Sequence, residues 1–199
     1  DCTGEIEING QIFKCHDHNG HGQQDLTQAM ANSCNTYFIA LSKLLDVENL
    51  RDTAFTLGFG REIQLCAGVN GSAGILPTVK ELLIPAELAN FSFGQGILTA
   101  TPLQVCQMTC AIANNGNMPV LRVIRGLTDD GINVKNEKEP QLAYTMEEKE
   151  AKALRRLMAS AINNNDSSNA KPYNVMAAGK TSTAQTGRFD ENGIEYCNA

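Results

Sequence analysis

The sequence predicts an α+β domain in which helices outnumber strands. Three helical patterns with capping signals precede Gly116, a later helix lies between two strand-like segments, and the chain ends in a hairpin pattern. Because a terminal hairpin leaves an open sheet edge, we expect a helix-rich part of one domain, residues 1–199, with an incomplete antiparallel sheet.

The helices of the first half are marked by their ends. Asp25 and Gln28 have the spacing of a capping box, and the helical pattern that follows is interrupted at residues 33–35. A second helix is predicted after Asp46, with Gly58 as its C-terminal cap. Residues 61–85 are rich in glycine and allow no assignment.

A further helix is predicted from Thr101, because Gln104 completes a capping box and Pro102 suits the first helical position. It should end at residues 114–116. Beyond it, the apolar and partly β-branched residues 120–127 predict a strand.

The last third of the chain predicts one helix and two strands. Residues 145–148 should cap the helix, whose apolar positions recur at helical spacing until the asparagine-rich run at 163–168. A strand is predicted over residues 175–186, and a turn at 190–193 should lead into a hairpin over 194–199.

Composition and charge exclude several classes of protein. The 199 residues carry a net charge of -6, which argues against nucleic acid as a partner. With 42% hydrophobic and 19% charged residues the chain is typical of a globular protein. No apolar run approaches the ~18 residues that a membrane span needs.

The cysteines and histidines do not predict a metal site. Seven cysteines are an odd number and include no Cys-x-x-Cys pair, and a domain of this size does not need a disulfide framework. His16, His18 and His21 lie near Cys15 and Asp17, but a polar surface loop explains them better than a set of ligands does. We therefore expect no metal.

Two short motifs carry side chains that are suited to catalysis. Ser33 and Asn35 place a hydroxyl and a carboxamide at the predicted break between two helices. Lys180 is followed by hydroxyls at Thr181 and Thr183, which share one face of the predicted strand and could bind a carboxylate there. Taken singly, the first motif also fits a helix cap and the second an exposed strand.

Gly179, Lys180 and Thr181 also match the end of a phosphate-binding loop. That loop needs a glycine five positions before Gly179, where the sequence has Asn174, and a helix directly after Thr181. Since a strand is predicted there, the nucleotide-binding hypothesis is weak.

Three segments in this order resemble the transpeptidase domain of the penicillin-binding proteins. They are Ser33-Cys34-Asn35, the Gly-Gln-Gly and Thr-Pro-Leu-Gln stretch within 93–119, and Gly179 to Gln185. The resemblance covers the whole chain and favours the monofunctional class. It implies the helical lobe of that fold with part of its antiparallel sheet.

The resemblance implies a serine D,D-transpeptidase that cross-links peptidoglycan stem peptides and is acylated by β-lactam antibiotics. Ser33 would pass protons to the leaving amine, Asn35 would bind an amide of the stem peptide, and Lys180 would support the electrostatics around Ser33. Thr181 and Thr183 would hold the terminal carboxylate, and the Thr183 N–H would form half of the oxyanion hole. No cofactor is implied, because acyl transfer takes place at a serine.

The implied setting is the extracytoplasmic face of the bacterial cell membrane, with a membrane anchor outside this chain. Other cell-wall synthesis or division proteins are the implied partners. Two alternatives share the fold: a non-catalytic penicillin-recognising sensor or scaffold domain, and a β-lactamase. The Thr-Pro-Leu-Gln stretch favours the transpeptidase over the β-lactamase.

The sequence departs from the family pattern at two points. The family's nucleophile belongs to a Ser-x-x-Lys motif, and none precedes Ser33, so we expect the nucleophile before Asp1 and an inactive isolated chain. Residues 168–171 match formally but follow an asparagine run and precede Pro172, which disfavours a helix. Ser182 stands where the family has glycine, so we expect a substrate-binding position with an altered fit.

Overall fold

The computed structural model describes residues 1–135, 141–163, 170–192 and 195–198. The helices of this described part are α1 (Leu26–Ala31), α2 (Asn35–Ser42), α3 (Val47–Thr56), α4 (Val79–Leu82), α5 (Pro85–Ser92), α6 (Pro102–Ala113) and α7 (Glu148–Asn163). The strands are β1 (Glu5–Ile8), β2 (Gln11–Lys14), β3 (Ile63–Cys66), β4 (Val69–Gly71), β5 (Asn117–Pro119), β6 (Leu142–Tyr144), β7 (Ala184–Phe189) and β8 (Glu195–Asn198). None of the described helices combines the length and apolar composition needed to cross a membrane.

The strands form four antiparallel pairs, each of two strands. β1 pairs with β2, β3 with β4, β5 with β6 and β7 with β8. Helices with antiparallel strands confirm the predicted α+β class. Within the described residues, the strands remain in separate pairs and do not join into one sheet.

The chain divides into two compact units. The first unit comprises Asp1–Leu50, Pro77–Leu98 and Ala153–Ala199, and the second comprises Arg51–Leu76 and Thr99–Lys152. Both candidate motifs of the sequence, at Ser33 and at Lys180, belong to the first unit.

The core of the first unit joins the β1–β2 hairpin to helices α2 and α5. Ile8 and Phe13 from the hairpin pack with Ile39 and Ala89 from the helices, and all four are buried. Burial of a side chain such as that of Ile39 contributes about 1.5–3 kcal/mol. This cluster holds the N-terminal hairpin against α2, the helix that directly follows Ser33.

The second unit is organised around a buried polar side chain, Gln104. Its amide nitrogen lies 3.1 Å from the carbonyl oxygens of Gly58 and Arg61 and 2.7 Å from that of Ala73. Its side-chain oxygen accepts the backbone N–H of Thr101 at 2.8 Å and so completes the capping box of α6. The Thr-Pro-Leu-Gln stretch therefore has a structural role, because it links three loop carbonyls to one helix start.

Helices α1, α3 and α5 end in the same pattern of two hydrogen bonds, the Schellman motif, and at the end of α6 the Gly116 N–H donates to the Ala111 carbonyl oxygen. In each, the residue after the C-cap has a positive φ angle. These residues are Ser33, Gly58, Gly94 and Asn115, with φ of 52°, 101°, 79° and 54°. The predicted helix ends at Gly58 and at residues 114–116, and the predicted break at residues 33–35, are confirmed.

The capping predictions are confirmed at Asp25 and Thr101 but not at residues 145–148. Capping boxes are formed by Asp25 with Gln28 and by Thr101 with Gln104. Helix α7 begins at Glu148, and the backbone N–H of Glu147 is bound by the Glu150 carboxylate at 2.9 Å. The Thr145 hydroxyl instead donates to the carbonyl oxygen of Gly116, so it joins the α7 approach to the end of α6.

One predicted strand is wrong, and a second begins later than predicted. Residues 120–127 form no strand beyond an isolated bridge at Leu127, and Val123 and Ile124 remain exposed. β-Branched residues favour a strand only where a partner strand and a buried face are present, and neither covers these side chains. The strand predicted over residues 175–186 begins only at Ala184, because the chain before it is held by helix α7.

The structure also assigns secondary structure to the stretch that the sequence left open and to the end of the chain. The unassigned stretch 61–85 contains β3, β4 and α4. The terminal hairpin prediction is confirmed by the pairing of β7 with β8. The formal Ser-x-x-Lys match at 168–171 lies partly outside the described residues, as does the turn residue Gly193.

Candidate active site

Ser33 occupies a strained turn between helices α1 and α2. Its N–H donates to the Met30 carbonyl at 3.4 Å, and the N–H of Cys34 donates to the Ala29 carbonyl at 2.9 Å. Among the described residues, three non-glycine residues have a positive φ, and the other two are asparagines, which tolerate it best. The left-handed conformation costs a residue such as serine roughly 1–2 kcal/mol. Such strain is typical of functional positions.

The turn brings the Ser33 hydroxyl into contact with Lys180, which is 147 positions later in the chain. The Lys180 ammonium donates to the Ser33 Oγ at 2.5 Å and to the Thr181 carbonyl oxygen at 2.6 Å. The sequence placed these two residues in separate motifs, and the structure joins them in one site.

Partial desolvation of the Lys180 ammonium lowers the pKa of this side chain below its ordinary value. The neutral amine, which can accept a proton, therefore forms at a lower pH than in a free lysine. A hydroxyl beside such an amine can exchange a proton with it. The pair formed by Ser33 and Lys180 is thus suited to proton transfer.

The last turn of helix α7 holds the segment that leads to Lys180. The Asn163 side-chain amide donates to the Ala177 carbonyl oxygen at 2.7 Å, and its oxygen accepts the Ala177 N–H at 3.4 Å. The N–H of Gly179 donates to the Met158 carbonyl oxygen at 3.2 Å. These bonds to helix α7 hold residues 177–179 in place, so the lysine next to them is positioned by the helix end.

Asn35 lies in the first turn of helix α2, and its side chain is oriented by the N-terminal hairpin. The amide nitrogen donates to the Lys14 carbonyl oxygen of β2 at 3.2 Å. This contact fixes the carboxamide next to the Ser33 turn. The half-buried Asn35 therefore belongs to the same region as Ser33.

Thr181, Ser182 and Thr183 follow Lys180 and are solvent-exposed. They form the extended approach to strand β7, which starts at Ala184. Their exposure leaves the three hydroxyls accessible to a ligand. That they bind a substrate carboxylate remains a prediction.

Next to the turn lies a cluster that the sequence did not reveal. The ligand atoms of Cys2, Cys15, His21 and Cys34 all lie within 4.8 Å of one another, and the three cysteines are buried. Only Cys15 and His21 belong to the set weighed for a metal from the sequence. The sequence analysis did not connect Cys34, the middle residue of Ser33-Cys34-Asn35, or Cys2 with this set. Neither cysteine belongs to a Cys-x-x-Cys motif, which is the usual sequence sign of a metal ligand.

The thiols of this cluster differ in acidity. Burial raises the pKa of the Cys34 thiol to about 11, because it outweighs the lowering hydrogen bonds from Thr36 and the Tyr37 backbone and is reinforced by Cys2 and by the charge that Cys15 can carry. For Cys2, burial also raises the pKa, but hydrogen bonds from Thr36 and from the backbone of His21 and Gly4 outweigh it and lower the value to about 6. Burial and neighbouring charge thus disfavour a second free thiolate beside Cys2.

The whole chain matches one family of known proteins. Residues 2–196 match the family described as "Penicillin binding protein transpeptidase domain". The chain is 28% identical to Stage V sporulation protein D of Bacillus subtilis over 194 residues, which cover 95% of this chain and 30% of the relative. It is also 28% identical to the peptidoglycan D,D-transpeptidase MrdA of Acinetobacter baumannii over 195 residues, covering 92% of this chain and 28% of the relative.

Solved structures show the same fold. The D,D-transpeptidase domain of a peptidoglycan glycosyltransferase from Eggerthella lenta superposes with a TM-score of 0.83 at 22% identity, over 94% of this chain and 48% of that one. The complex of penicillin-binding protein 2 with MreC from Helicobacter pylori gives a TM-score of 0.76 at 26% identity, over 94% of this chain and 36% of that one. The chain thus spans less than half the length of these proteins.

Proposed function

The chain belongs to the penicillin-binding protein transpeptidase family, and from that premise we propose that it forms part of a serine D,D-transpeptidase that cross-links peptidoglycan stem peptides. The observation that carries the proposal is the 2.5 Å contact between the Ser33 hydroxyl and the Lys180 ammonium. It unites the two motifs on which the family resemblance rests. Because the chain spans about 30% of the length of its curated relatives, the activity belongs to a longer protein.

In this proposal the nucleophile is a serine of a Ser-x-x-Lys motif that precedes Asp1. Its oxygen attacks the peptide carbonyl next to the terminal residue of the stem peptide and forms an acyl-enzyme. Ser33 passes a proton to the amine that leaves, and Lys180 provides the charge next to the Ser33 hydroxyl. The amine of a second stem peptide then takes the acyl group, which completes the cross-link.

The remaining site residues bind the substrate. Asn35 binds an amide of the stem peptide, while Thr181 and Thr183 hold its terminal carboxylate. The Thr183 N–H stabilises the oxyanion, and one such donor is worth about 10²–10³ in rate. Ser182 lines the same strand approach and narrows the space that a glycine would leave. β-Lactam antibiotics bind as analogues of the stem peptide and acylate the same nucleophile.

The proposed setting is the extracytoplasmic face of the cell membrane, where peptidoglycan is built. The partners are other cell-wall synthesis or division proteins. This part of the proposal is supported by the Helicobacter pylori relative, whose structure is a complex with MreC.

The rival functions make different demands on the same residues. A phosphate-binding loop needs a helix after Thr181, whereas the described chain continues extended into strand β7. A sensor domain would be acylated by penicillin but would not transfer the acyl group to a peptide amine. A β-lactamase would hydrolyse the penicillin adduct rapidly.

The test uses benzylpenicillin and intact mass spectrometry on two proteins. One is the 199-residue chain, and the other is a chain extended upstream through the Ser-x-x-Lys motif, called the extended chain below. We expect a stable penicilloyl adduct on the extended chain alone, and transfer to an amine acceptor when a stem peptide is supplied. An adduct on the 199-residue chain would place the nucleophile among its own serines and contradict the proposal.

Two variants of the extended chain sharpen this test. Lys180→Ala should slow acylation, since it removes the ammonium beside Ser33. Lys80→Ala, which changes an exposed lysine of helix α4, is the matched control and should acylate at the parental rate. Rapid hydrolysis of benzylpenicillin would instead identify a β-lactamase, and a stable adduct without peptide transfer a sensor.

A further inference from the structure

The cluster of Cys2, Cys15, His21 and Cys34 has the dimensions of a tetrahedral metal site. The Cys15 and Cys34 sulfurs lie 3.9 Å apart, and the His21 Nδ1 lies 3.6 Å from the Cys2 sulfur and 3.4 Å from the Cys15 sulfur. Zinc bonds of about 2.3 Å to sulfur and about 2.0 Å to nitrogen set tetrahedral ligand atoms about 3.8 Å (S···S) and about 3.5 Å (S···N) apart. These three edges fit this geometry, and the remaining ligand-to-ligand distances are at most 4.8 Å.

The fold builds this arrangement from four separate segments. Cys2 and Gly22 exchange backbone hydrogen bonds of 2.8 and 3.0 Å, which places the His21 loop beside the chain start. Cys15 follows strand β2, and Cys34 is the N-cap residue of helix α2. The loop folds closely only because Gly20 has no side chain, since a Cβ there would lie 2.3 Å from the Cys2 carbonyl oxygen.

The chemistry of the four ligands selects the metal. Three thiolates and one imidazole suit zinc, and four protein ligands without an open position are typical of a structural site. Burial of the three cysteines excludes water from the metal, while the Thr36 hydroxyl, 3.4 Å from the Cys34 sulfur, supplies an outer hydrogen bond. On binding, the thiols release their protons to solvent.

We propose that Cys2, Cys15, His21 and Cys34 bind one structural zinc ion that fixes the turn carrying Ser33. Cys34 is the residue directly after Ser33, and its N–H closes the Schellman motif by donating to the Ala29 carbonyl oxygen. A metal bond to its side chain therefore adds a second anchor to the strained turn. The zinc touches no substrate; it holds the hairpin, the His21 loop and the start of α2 together.

The test measures metal on the 199-residue chain, purified with reductant and then dialysed against metal-free buffer. We expect close to one zinc ion per chain by elemental analysis. Replacement by cobalt(II) should give the thiolate charge-transfer absorption and the visible bands of a tetrahedral site. Hydrogen exchange of the backbone amides around residues 33–36 should accelerate on removal of zinc by a chelator and slow again on zinc addition.

Variants distinguish this site from the other cysteines. Cys34→Ser and Cys15→Ser should lose the bound zinc and the cobalt spectrum, whereas Cys66→Ser and Cys106→Ser should keep both. Because a ligand variant can fail to fold, the cobalt spectrum of the unmodified chain decides the matter independently. A folded, reduced chain that binds no zinc and gives no tetrahedral cobalt spectrum would overturn the proposal, and so would a Cys15–Cys34 disulfide in the purified chain.

The metal and the enzymatic activity are tested separately. Zinc content and hydrogen exchange depend on no nucleophile, so they stand even where penicillin fails to acylate the extended chain. Conversely, if an extended chain that holds no zinc is acylated, the proposed function stands and the zinc proposal is contradicted.

Discussion

Helices α1 and α3 end in the same backbone motif, but the residue that takes the left-handed conformation differs. At the end of α3, Gly58 has φ of 101°, and its N–H donates to the Phe55 carbonyl oxygen at 3.1 Å. At the end of α1, Ser33 has φ of 52° and donates to the Met30 carbonyl oxygen at 3.4 Å. Glycine adopts this conformation without strain, whereas serine does not.

The two turns differ in what they contact. The carbonyl of Gly58 is bound by the buried amide of Gln104, so that turn belongs to the structural centre of its unit. The hydroxyl of Ser33 contacts the Lys180 ammonium, a contact that glycine could not make. Under the proposed function, the strain at Ser33 is tolerated because the hydroxyl takes part in proton transfer.

The largest effect should come from removal of the Ser33 hydroxyl. In the extended chain, Ser33→Ala should slow benzylpenicillin acylation by about 10²–10⁴, the usual worth of a positioned proton-transfer group. The rate is measured by the time course of the adduct in intact mass spectra. An unchanged rate would mean that the Ser33 turn has no catalytic role and that its strain is merely structural.

At the Gly58 turn, the largest effect should be on stability and should come from loss of the Gln104 amide that binds it. Gln104→Ala removes the amide that binds the Gly58, Arg61 and Ala73 carbonyl oxygens and leaves a cavity, so it should lower the free energy of unfolding by about 2–4 kcal/mol. Urea denaturation measures this loss. Gln11→Ala, at an exposed position of β2, is the control and should change stability little. A small loss for Gln104→Ala would show that water replaces the amide.

The pH dependence of stability and of acylation should distinguish the Ser33 turn from the Gly58 turn, because Ser33 contacts Lys180. The pKa of Lys180 in the folded chain is lower than the ~10.4 of an unfolded lysine. At pH values between these two pKa values, the unfolded chain binds more protons than the folded chain. The free energy of unfolding contributed by this residue therefore rises with pH across that window. Acylation of the extended chain should fall with pH over the same range, because the ammonium beside the Ser33 hydroxyl is lost.

Lys180→Arg should abolish both trends, because an arginine side chain stays charged, so its acylation rate should stay constant where that of the parent falls. Lys80→Arg serves as the control. Equal pH profiles for the parent and Lys180→Arg would assign the dependence to another group.

The smallest effects on stability should come from substitutions of the two turn residues themselves. Gly58→Ser should lower the free energy of unfolding by about 1 kcal/mol through the backbone conformation alone, since a Cβ at Gly58 would lie 3.4 Å or more from its neighbours. Ser33→Gly should raise it by about the same amount while acylation is lost. Thermal unfolding measures both. A loss of stability in Ser33→Gly would contradict the assignment of strain to Ser33.

Local signals determined much of this fold in advance. Capping boxes at Asp25 and Thr101 and turn residues such as Gly58 act within a few positions of the chain, so their helices were predicted from the sequence. The strand at 120–127 was not predicted correctly, because β-branched residues form a strand only where a partner strand and a buried face exist.

The sequence by itself determined the helix starts at Asp25 and Thr101, the helix ends at Gly58 and Asn114, the α+β class and the motifs on which the family resemblance rests. Only the tertiary structure decided that Ser33 meets Lys180, that Asn163 of helix α7 holds the approach to Lys180, and that Cys34 lies beside Cys2, Cys15 and His21. Capping and turn preferences depend on neighbouring residues, whereas a site that brings together residues 147 positions apart depends on how the elements pack. No local pattern records that packing.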